Sequence, residues 1–260
     1  MAAPNPSQTT FELQPIISAN TVRRGRYEVM TYKKRKALMK GRLVRVTAKL
    51  SDGTLVPVSE GASFEALRAA AYEIDDQLTA AETNGRDTTK ITDLVIPAIT
   101  AAALQEILSY LKFQVSKGSF GNVRGIKTNS FYAYFSILET AVSIGFKHVA
   151  DQMTERLTRT FYRGGNHQYR APLTDIKLIA ATKPRTSASN AIKAKLVASI
   201  AQSSIDGNLI NGRELSNFLV DIPDMDRAFL NEYERRLNAA AAASPVQQRL
   251  AAYTIELGLA

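Results

Sequence analysis

The stretch from Asp93 to Phe113, DLVIPAITAAALQEILSYLKF, joins a short apolar strand to an amphipathic helix through a proline-containing junction. Residues 93–96 are too apolar for an exposed strand, so the pattern predicts a strand inside a sheet. Pro97 ends that strand because it has no amide hydrogen to donate, and Thr100 is placed to cap the next helix. This junction therefore constrains the fold to a buried strand followed at once by a helix.

The helix after this junction carries a single apolar stripe. Its members stand at positions i, i+3, i+4 and i+7: Leu104, Ile107, Leu108 and Leu111. Burial of four such side chains contributes roughly 1.5–3 kcal/mol each. The helix is therefore predicted to pack on the sheet that contains residues 93–96.

An earlier segment, RLVRVTAKLSDGTLVPVS, has the pattern of a β-hairpin. Between residues 44 and 50 apolar and polar side chains alternate, which predicts a strand with one buried face. Asp52 and Gly53 supply the positive φ angles of a tight turn, and Pro57 restricts the second strand to a sheet edge. Together with residues 93–96, the hairpin predicts a small three-stranded sheet.

The rest of the chain carries helical patterns. Residues 63–78, 130–146 and 147–161 repeat apolar side chains at helical spacing, and Ser63 and Gly145 suit the ends of helices. Helical patterns also dominate beyond residue 172, so the fold class predicted is α+β and helix-rich. Residues 1–20 are rich in Pro, Ser, Asn and Thr and are predicted to be flexible.

Composition and glycine spacing argue against several kinds of catalytic and binding site. The chain has no cysteine and only two histidines, His148 and His167, which argues against disulfides, thiol catalysis and zinc sites. The glycines at 118, 121 and 125 lack the spacing of a phosphate loop. We therefore predict no enzyme activity, no catalytic residue, no cofactor and no metal. No apolar run approaches the ~20 residues that span a bilayer, and we expect an intracellular protein without a membrane partner.

Positive charge is concentrated near the N-terminus. Residues 21–49 hold eleven Lys and Arg against one acid, a net +10, while the whole chain carries +9. Nine of these cations are candidates for an import signal or for phosphate binding: Arg23, Arg24, Arg26, Lys33, Lys34, Arg35, Lys36, Lys40 and Arg42. Tyr27 and Tyr32 are available to stack on bases. The pattern is also typical of a solvated tail, so three interpretations stay open.

Three segments together resemble the BTB/POZ fold, which is shared with the Skp-type adaptors of cullin ubiquitin ligases. ITDLVIPAITAAALQEILSYLKF is similar to the family's strand–Pro–helix segment that ends in Leu-x-Tyr-Leu. YFSILETAVSIGFKHVADQMTERL is similar to its helix pair, and VRVTAKLSDGTLVPVS to its opening hairpin. The C-terminal helices resemble the extension that follows BTB domains in fungal proteins.

This resemblance implies a domain organisation and a function. Residues 1–42 would be a flexible basic leader, 43–163 the BTB/POZ-like domain, and 172–260 a helical extension. The protein would be an interaction module, a homodimeric adaptor for a cullin ligase or a transcription-related scaffold, in the nucleus, the cytoplasm or both. A partner-docking loop would run from Leu111 to Gly125, with candidate residues Leu111, Lys112, Phe113, Val115 and Phe120.

A second interpretation belongs to a different class of protein. A basic arm on a nearly neutral, helical, cysteine-free body also suits a nucleic-acid-binding structural protein, such as a viral nucleoprotein or coat protein. In that case the partner would be nucleic acid, bound through the basic leader.

Overall fold

The computed structural model describes residues 9–14, 30–116, 130–162, 173–182, 187–205 and 223–243. The chain divides into two compact units, residues 1–157 with 183–190, and residues 158–182 with 191–260. In chain order the described elements are strand β1 (Thr9–Glu12), helix α1 (Tyr32–Leu38), strands β2 (Leu43–Lys49) and β3 (Leu55–Ser63), helices α2 (Phe64–Ala70) and α3 (Tyr72–Thr83), a 3-10 turn (Thr88–Lys90), strand β4 (Ile91–Pro97), and helices α4 (Ala101–Ser116), α5 (Phe131–Ser143), α6 (Lys147–Tyr162), α7 (Leu173–Ala181), α8 (Ser187–Ile205) and α9 (Pro223–Ala243).

The described strands form one sheet in the order β1-β4-β2-β3. β2 and β3 pair antiparallel around the predicted turn, where Gly53 has a φ of 85°. β4 runs parallel to β2 on one side and to β1 on the other. The predicted α+β, helix-rich class and the internal position of residues 93–96 are confirmed. The predicted number of three strands is wrong, because β1 adds a fourth.

For residues 9–14, β1 corrects the prediction that the chain is flexible near its N-terminus. Phe11 and Leu13 are 6 % and 2 % exposed, and the Leu13 amide donates to the carbonyl of Val95 at 2.9 Å. Two apolar residues in a polar segment are too few to predict a strand. The strand forms because the open edge of β4 supplies hydrogen-bond partners, which the sequence of residues 9–14 does not reveal.

The junction between β4 and α4 is held by polar side chains of α5. The Thr140 hydroxyl accepts from the Ile99 amide at 3.2 Å, and the Ser143 hydroxyl donates to the Pro97 carbonyl at 3.3 Å. Both side chains are buried. The chain can therefore turn abruptly from strand to helix without leaving its backbone groups unpaired in the core.

α4 packs its predicted stripe into the core. Leu104, Ile107, Leu108 and Leu111 are all buried, and the Thr100 hydroxyl accepts from the Ala103 amide at 3.1 Å. The helix contacts β2, β3 and α5. Helical spacing predicts inward faces for the next two helices as well. In α5, Phe131, Phe135 and Leu138 are buried and the fourth predicted member, Val142, is half-buried, while Val149, Met153 and Leu157 of α6 are all buried.

The helix predicted for residues 63–78 is broken at Ala71, which adopts an extended conformation with φ −114° and ψ 100°. Ala69, Ala70 and Ala71 are all buried. Consecutive residues of one straight helix are separated by 100° around its axis, so three in a row cannot share a narrow buried face. The break lets α2 and α3 each direct a separate face inward.

A charged cluster ties the two sides of this break together. Arg68 donates to Asp75 at 2.6 Å, to Thr79 at 2.9 Å and to both carboxylate oxygens of Glu82 at 2.5 and 2.9 Å. The hydrogen bond from Arg68 lowers the pKa of the Glu82 carboxyl to about 2, and a hydrogen bond from Thr88 contributes. Glu82 therefore stays ionised at neutral pH, and the cluster joins α2, α3 and the 3-10 turn.

The second unit contains α7, most of α8, and α9, and polar bridges connect these helices. Lys193 of α8 donates to the carbonyls of Ala180 and Thr182 at the end of α7. Arg236 of α9 donates to the side chain of Gln202 in α8 at 2.8 Å. A lysine at the C-terminal end of α7 also interacts favourably with the helix dipole.

Gly145 provides a test of how closely α3 approaches the α5–α6 turn. Its φ is 73°, and an added Cβ would lie 2.8 Å from Glu73 and Tyr72 atoms. Gly85 has a similar φ of 82°, but nothing lies within 4 Å of its added Cβ.

We expect Gly85→Ala to lower the free energy of unfolding by about 1–2 kcal/mol through backbone strain alone. Gly145→Ala should cost a further ~1–3 kcal/mol because the packing against α3 must also give way. Urea denaturation of both variants measures the difference. Equal losses would contradict the close packing.

Candidate interaction surfaces

The structure separates the nine predicted basic residues into three groups. Arg23, Arg24 and Arg26 lie outside the described residues. The other six lie on α1 or between α1 and β2, where Thr31 caps the helix by accepting from the Lys34 amide. Of these six, two arginines make contacts inside the protein and four lysines are exposed.

Arg35 lies on the inward side of α1. Its side chain is 4 % exposed, and its guanidinium donates to the Met30 carbonyl just before the helix. α1 contacts α4 and α2, and Arg35 is its buried residue. A buried guanidinium engaged in this way is not presented to an external phosphate.

Arg42 bridges the hairpin to the segment that precedes β4. Its Nη1 donates to three carbonyls, those of Thr88 at 2.9 Å, Thr89 at 2.6 Å and Ile91 at 3.0 Å. The guanidinium carbon lies 3.9 Å from the centre of the Phe64 ring, the geometry of a cation–π contact. Arg42 therefore stabilises the fold, a role that the sequence pattern did not distinguish from the role of its basic neighbours.

The exposed lysines form a cationic face, defined here as Lys33, Lys34, Lys36 and Lys40. Lys33 and Lys36 are one turn apart on α1, and Lys36 Nζ lies 6.0 Å from the centre of the Tyr32 ring. Tyr32 is 38 % exposed at the start of the helix. Ammonium groups beside an accessible aromatic ring suit a phosphate backbone and a stacked base.

The first residues of the predicted docking loop are helical. α4 continues through Ser116 because no glycine or proline interrupts its pattern before that residue. Leu111 is buried, Lys112 is exposed and Phe113 is half-buried, all within the helix. The interpretation of Leu111 as a loop docking residue is therefore wrong. Val115 lies in the helix with a side chain outside the described set, and Phe120 lies outside the described residues.

β3 forms one edge of the sheet and shows features that discourage further pairing. It contains Pro57, and its register with β2 shifts twice, between Val44 and Val46 and between Val46 and Thr47. Proline and irregular register both protect an edge strand from adding another strand. The hairpin nevertheless exposes Leu43 and Leu55, which are 61 % and 57 % exposed.

β1 forms the other edge and is held by side chains from three separate segments. Lys49 of β2 forms an ion pair with Glu12 that reaches across β4. Arg86 donates to the Thr10 carbonyl at 2.7 Å and lies 4.8 Å from the centre of the Phe11 ring. These contacts make the β1 edge a polar clamp around apolar side chains.

A glutamine completes this clamp. The Gln77 side chain accepts from the Gln14 amide at 2.8 Å and donates to the Gln14 carbonyl at 3.0 Å. Such two-way pairing with backbone groups imitates the ladder of a strand and is independent of the side chain that Gln14 carries. Sequence reasoning missed this arrangement, and the alternation of Phe11 and Leu13 was its only signal.

Across the described ranges, no group of three or more His, Asp or Glu residues could hold a metal ion. No helix among those residues is long and apolar enough to cross a membrane. No protein-family model, curated protein or solved structure matches the chain.

The division between engaged and exposed cations predicts opposite effects of substitution. We expect Arg42→Met to lower the free energy of unfolding by about 2 kcal/mol, because three carbonyls lose a charged donor. Lys36→Met on the cationic face should change it by less than about 0.5 kcal/mol. Chemical denaturation measures both, and a neutral Arg42→Met would contradict the bridging role.

Proposed function

We propose that the chain is a BTB/POZ-like protein–protein interaction module that forms a homodimeric adaptor. The observation that carries this proposal is the order and direction of the first unit's elements. The unit begins its main body with an antiparallel hairpin and a helix pair. These are followed by an internal strand parallel to β2, by a helix and by an apolar helix pair, and further helical segments come after them. This order agrees with the one expected from the sequence resemblance, except that the single helix predicted for residues 63–78 is broken into α2 and α3 and that β1 is an additional strand.

The hairpin is the surface best suited to self-association. Leu43 and Leu55 are two of the most exposed large apolar side chains among the described residues, and they stand at opposite ends of the hairpin. Exposed leucines are favourable anchors because burial of each contributes roughly 1.5–3 kcal/mol. In a two-fold dimer both copies would use the same surface, so two copies of each leucine would be buried.

The partner class follows from the proposed fold. Fold analogy alone suggests a cullin ligase or a transcription-related assembly, in the nucleus, the cytoplasm or both. Lys112 and Phe113, in the last turns of α4, are the candidate docking contacts that the structure describes. The function proposed requires surface complementarity and assigns no catalytic residue, cofactor or metal.

Light scattering of the purified full chain tests the dimer. We expect a compact dimer whose mass does not depend on salt, because apolar contacts are little screened. The double variant Leu43→Lys with Leu55→Lys should raise the dimer Kd at least about tenfold. Leu178→Lys, at an exposed leucine of α7, is the matched control and should leave the Kd unchanged. A monomeric wild-type chain would overturn the dimer proposal.

The cationic face supports a second candidate, binding of nucleic acid by a structural protein of the coat or nucleoprotein kind. The specific observation is the exposed Tyr32 ring beside Lys36, with three more lysines exposed nearby. Arg35 and Arg42 make their contacts inside the protein, so this candidate rests on the lysines. The role of Arg23, Arg24 and Arg26 in import or phosphate binding remains a prediction.

Binding of a single-stranded RNA oligonucleotide, followed by fluorescence anisotropy across a salt series, tests this candidate. Each phosphate contact contributes ~0.7 to the slope of log K against log salt, so Lys33→Gln with Lys36→Gln should reduce the slope by about 1.4. Lys90→Gln with Lys112→Gln makes the same change in charge elsewhere and should have little effect. RNA binding that both pairs weaken equally would argue against a site on α1.

A further inference from the structure

We propose that the outer edge of β4 is an acceptor site for an extended acidic peptide of a partner protein, and that β1 occupies this site within the free chain. The peptide would carry an aromatic residue, an acid and an aliphatic residue in succession. This inference deepens the proposed interaction function and rests on it, because it names an edge and the chemistry of the partner.

Backbone pairing supplies the first part of the recognition. β1 lies parallel to β4, with Thr10, Phe11 and Glu12 opposite Asp93, Leu94 and Val95. The Leu13 amide extends the pairing to the Val95 carbonyl. Main-chain hydrogen bonds of this kind do not depend on sequence, so any extended segment can make them.

Side chains around the edge supply the specificity. The positions of Phe11 and Leu13 are buried, so the occupant needs apolar residues two apart. Between them, the ion pair of Glu12 with Lys49 favours an acid. Arg86 lies over the ring of Phe11 and donates to the carbonyl of Thr10, so it contacts both the aromatic side chain and the backbone that precedes it.

The charge of the rim selects the same partner. Lys49 and Arg86 present positive charge at the edge of the sheet, while the neighbouring carboxylate of Asp93 is paired with Arg45 at 2.6 Å. An acidic strand is therefore attracted to this edge and a basic strand is repelled.

β1 is suited to leave this site without unfolding the body. It has four residues at the end of the sheet, and β4 keeps its full pairing with β2 when β1 departs. Its polar anchors, Lys49, Arg86 and Gln77, belong to other elements and stay in place. Edge segments with few contacts open locally before the protein unfolds globally.

A partner strand fits this edge better than the same strand from a second copy. β1 pairs with only part of the seven-residue β4, and its register is irregular between Thr9 and Thr10. A longer, regular strand can add ladder contacts that β1 lacks. A second copy would bring an identical segment and gain nothing over the tethered one.

The probe for the test is a labelled peptide with the sequence of residues 9–14, TTFELQ, titrated into the full-length chain by NMR. Phe11→Asp in the chain releases the tethered strand and leaves the acceptor intact. We expect the peptide to bind this variant at least about tenfold more tightly than the wild-type chain, because the tethered competitor is removed.

Charge reversal locates the site. In the released chain, Lys49→Glu should weaken binding at least about tenfold, and a peptide carrying Glu12→Lys should recover most of that loss. Lys33→Glu, at an exposed lysine of α1, is the matched control and should leave binding unchanged. Equal binding by the wild-type and released chains, or no response to Lys49→Glu, would overturn the proposal.

Hydrogen exchange of the unaltered chain tests the opening independently, in case Phe11→Asp does not fold. The amide of Leu13 should exchange faster than those of Val46 and Leu94, which lie inside the sheet. Exchange of all three amides at one rate would overturn the proposal. A wild-type dimer that dissociates on Phe11→Asp would also overturn it, because the second copy would then be the occupant of the edge. Peptide binding by a monomeric chain would keep this inference while removing the homodimer.

Discussion

Burial of the α4 stripe against the sheet is the interaction on which the rest of the first unit depends. Leu104, Ile107, Leu108 and Leu111 direct α4 onto β2 and β3, and the turn that brings the helix there requires β4 to end at Pro97. α5 then satisfies the turn's backbone through Thr140 and Ser143. Apolar burial and polar satisfaction are thus coupled at one junction, since a core helix can start this close to a strand only if its backbone groups find partners.

The basic segment likewise contains side chains that bond within the protein and side chains that are exposed. Seen as charge alone, residues 33–42 form one cationic run, but Arg35 and Arg42 point their guanidinium groups at backbone carbonyls of the protein itself. A guanidinium offers several donors in a planar fork and is less strongly hydrated than an ammonium, so it is the cation better suited to partial burial. The lysines remain on the outside, where strongly hydrated charges are stable.

The two edges of the sheet are kept from pairing with further strands in different ways. The β3 edge is interrupted by Pro57 and by two shifts of register, whereas the β4 edge is closed by a short strand held through Lys49, Arg86 and Gln77. A protected edge and a filled edge both prevent indiscriminate pairing. Only the filled edge also restricts which sequence could replace β1. It requires apolar residues at the positions of Phe11 and Leu13 and favours an acid at the position of Glu12.

Local patterns in the sequence determined the hairpin, the buried strand at 93–96, the stripes of α4, α5 and α6, and the helix-rich class, because each rests on residues close together in the chain. Tertiary structure decided the fourth strand, the break at Ala71 and the separate roles of Arg42 and the lysines. These features depend on partners 40 or more residues away, such as Val95 for Leu13 and Ile91 for Arg42, or on which faces the core can accept. A strand of four residues has too little apolar surface to specify itself, so only the edge that receives it makes it a strand.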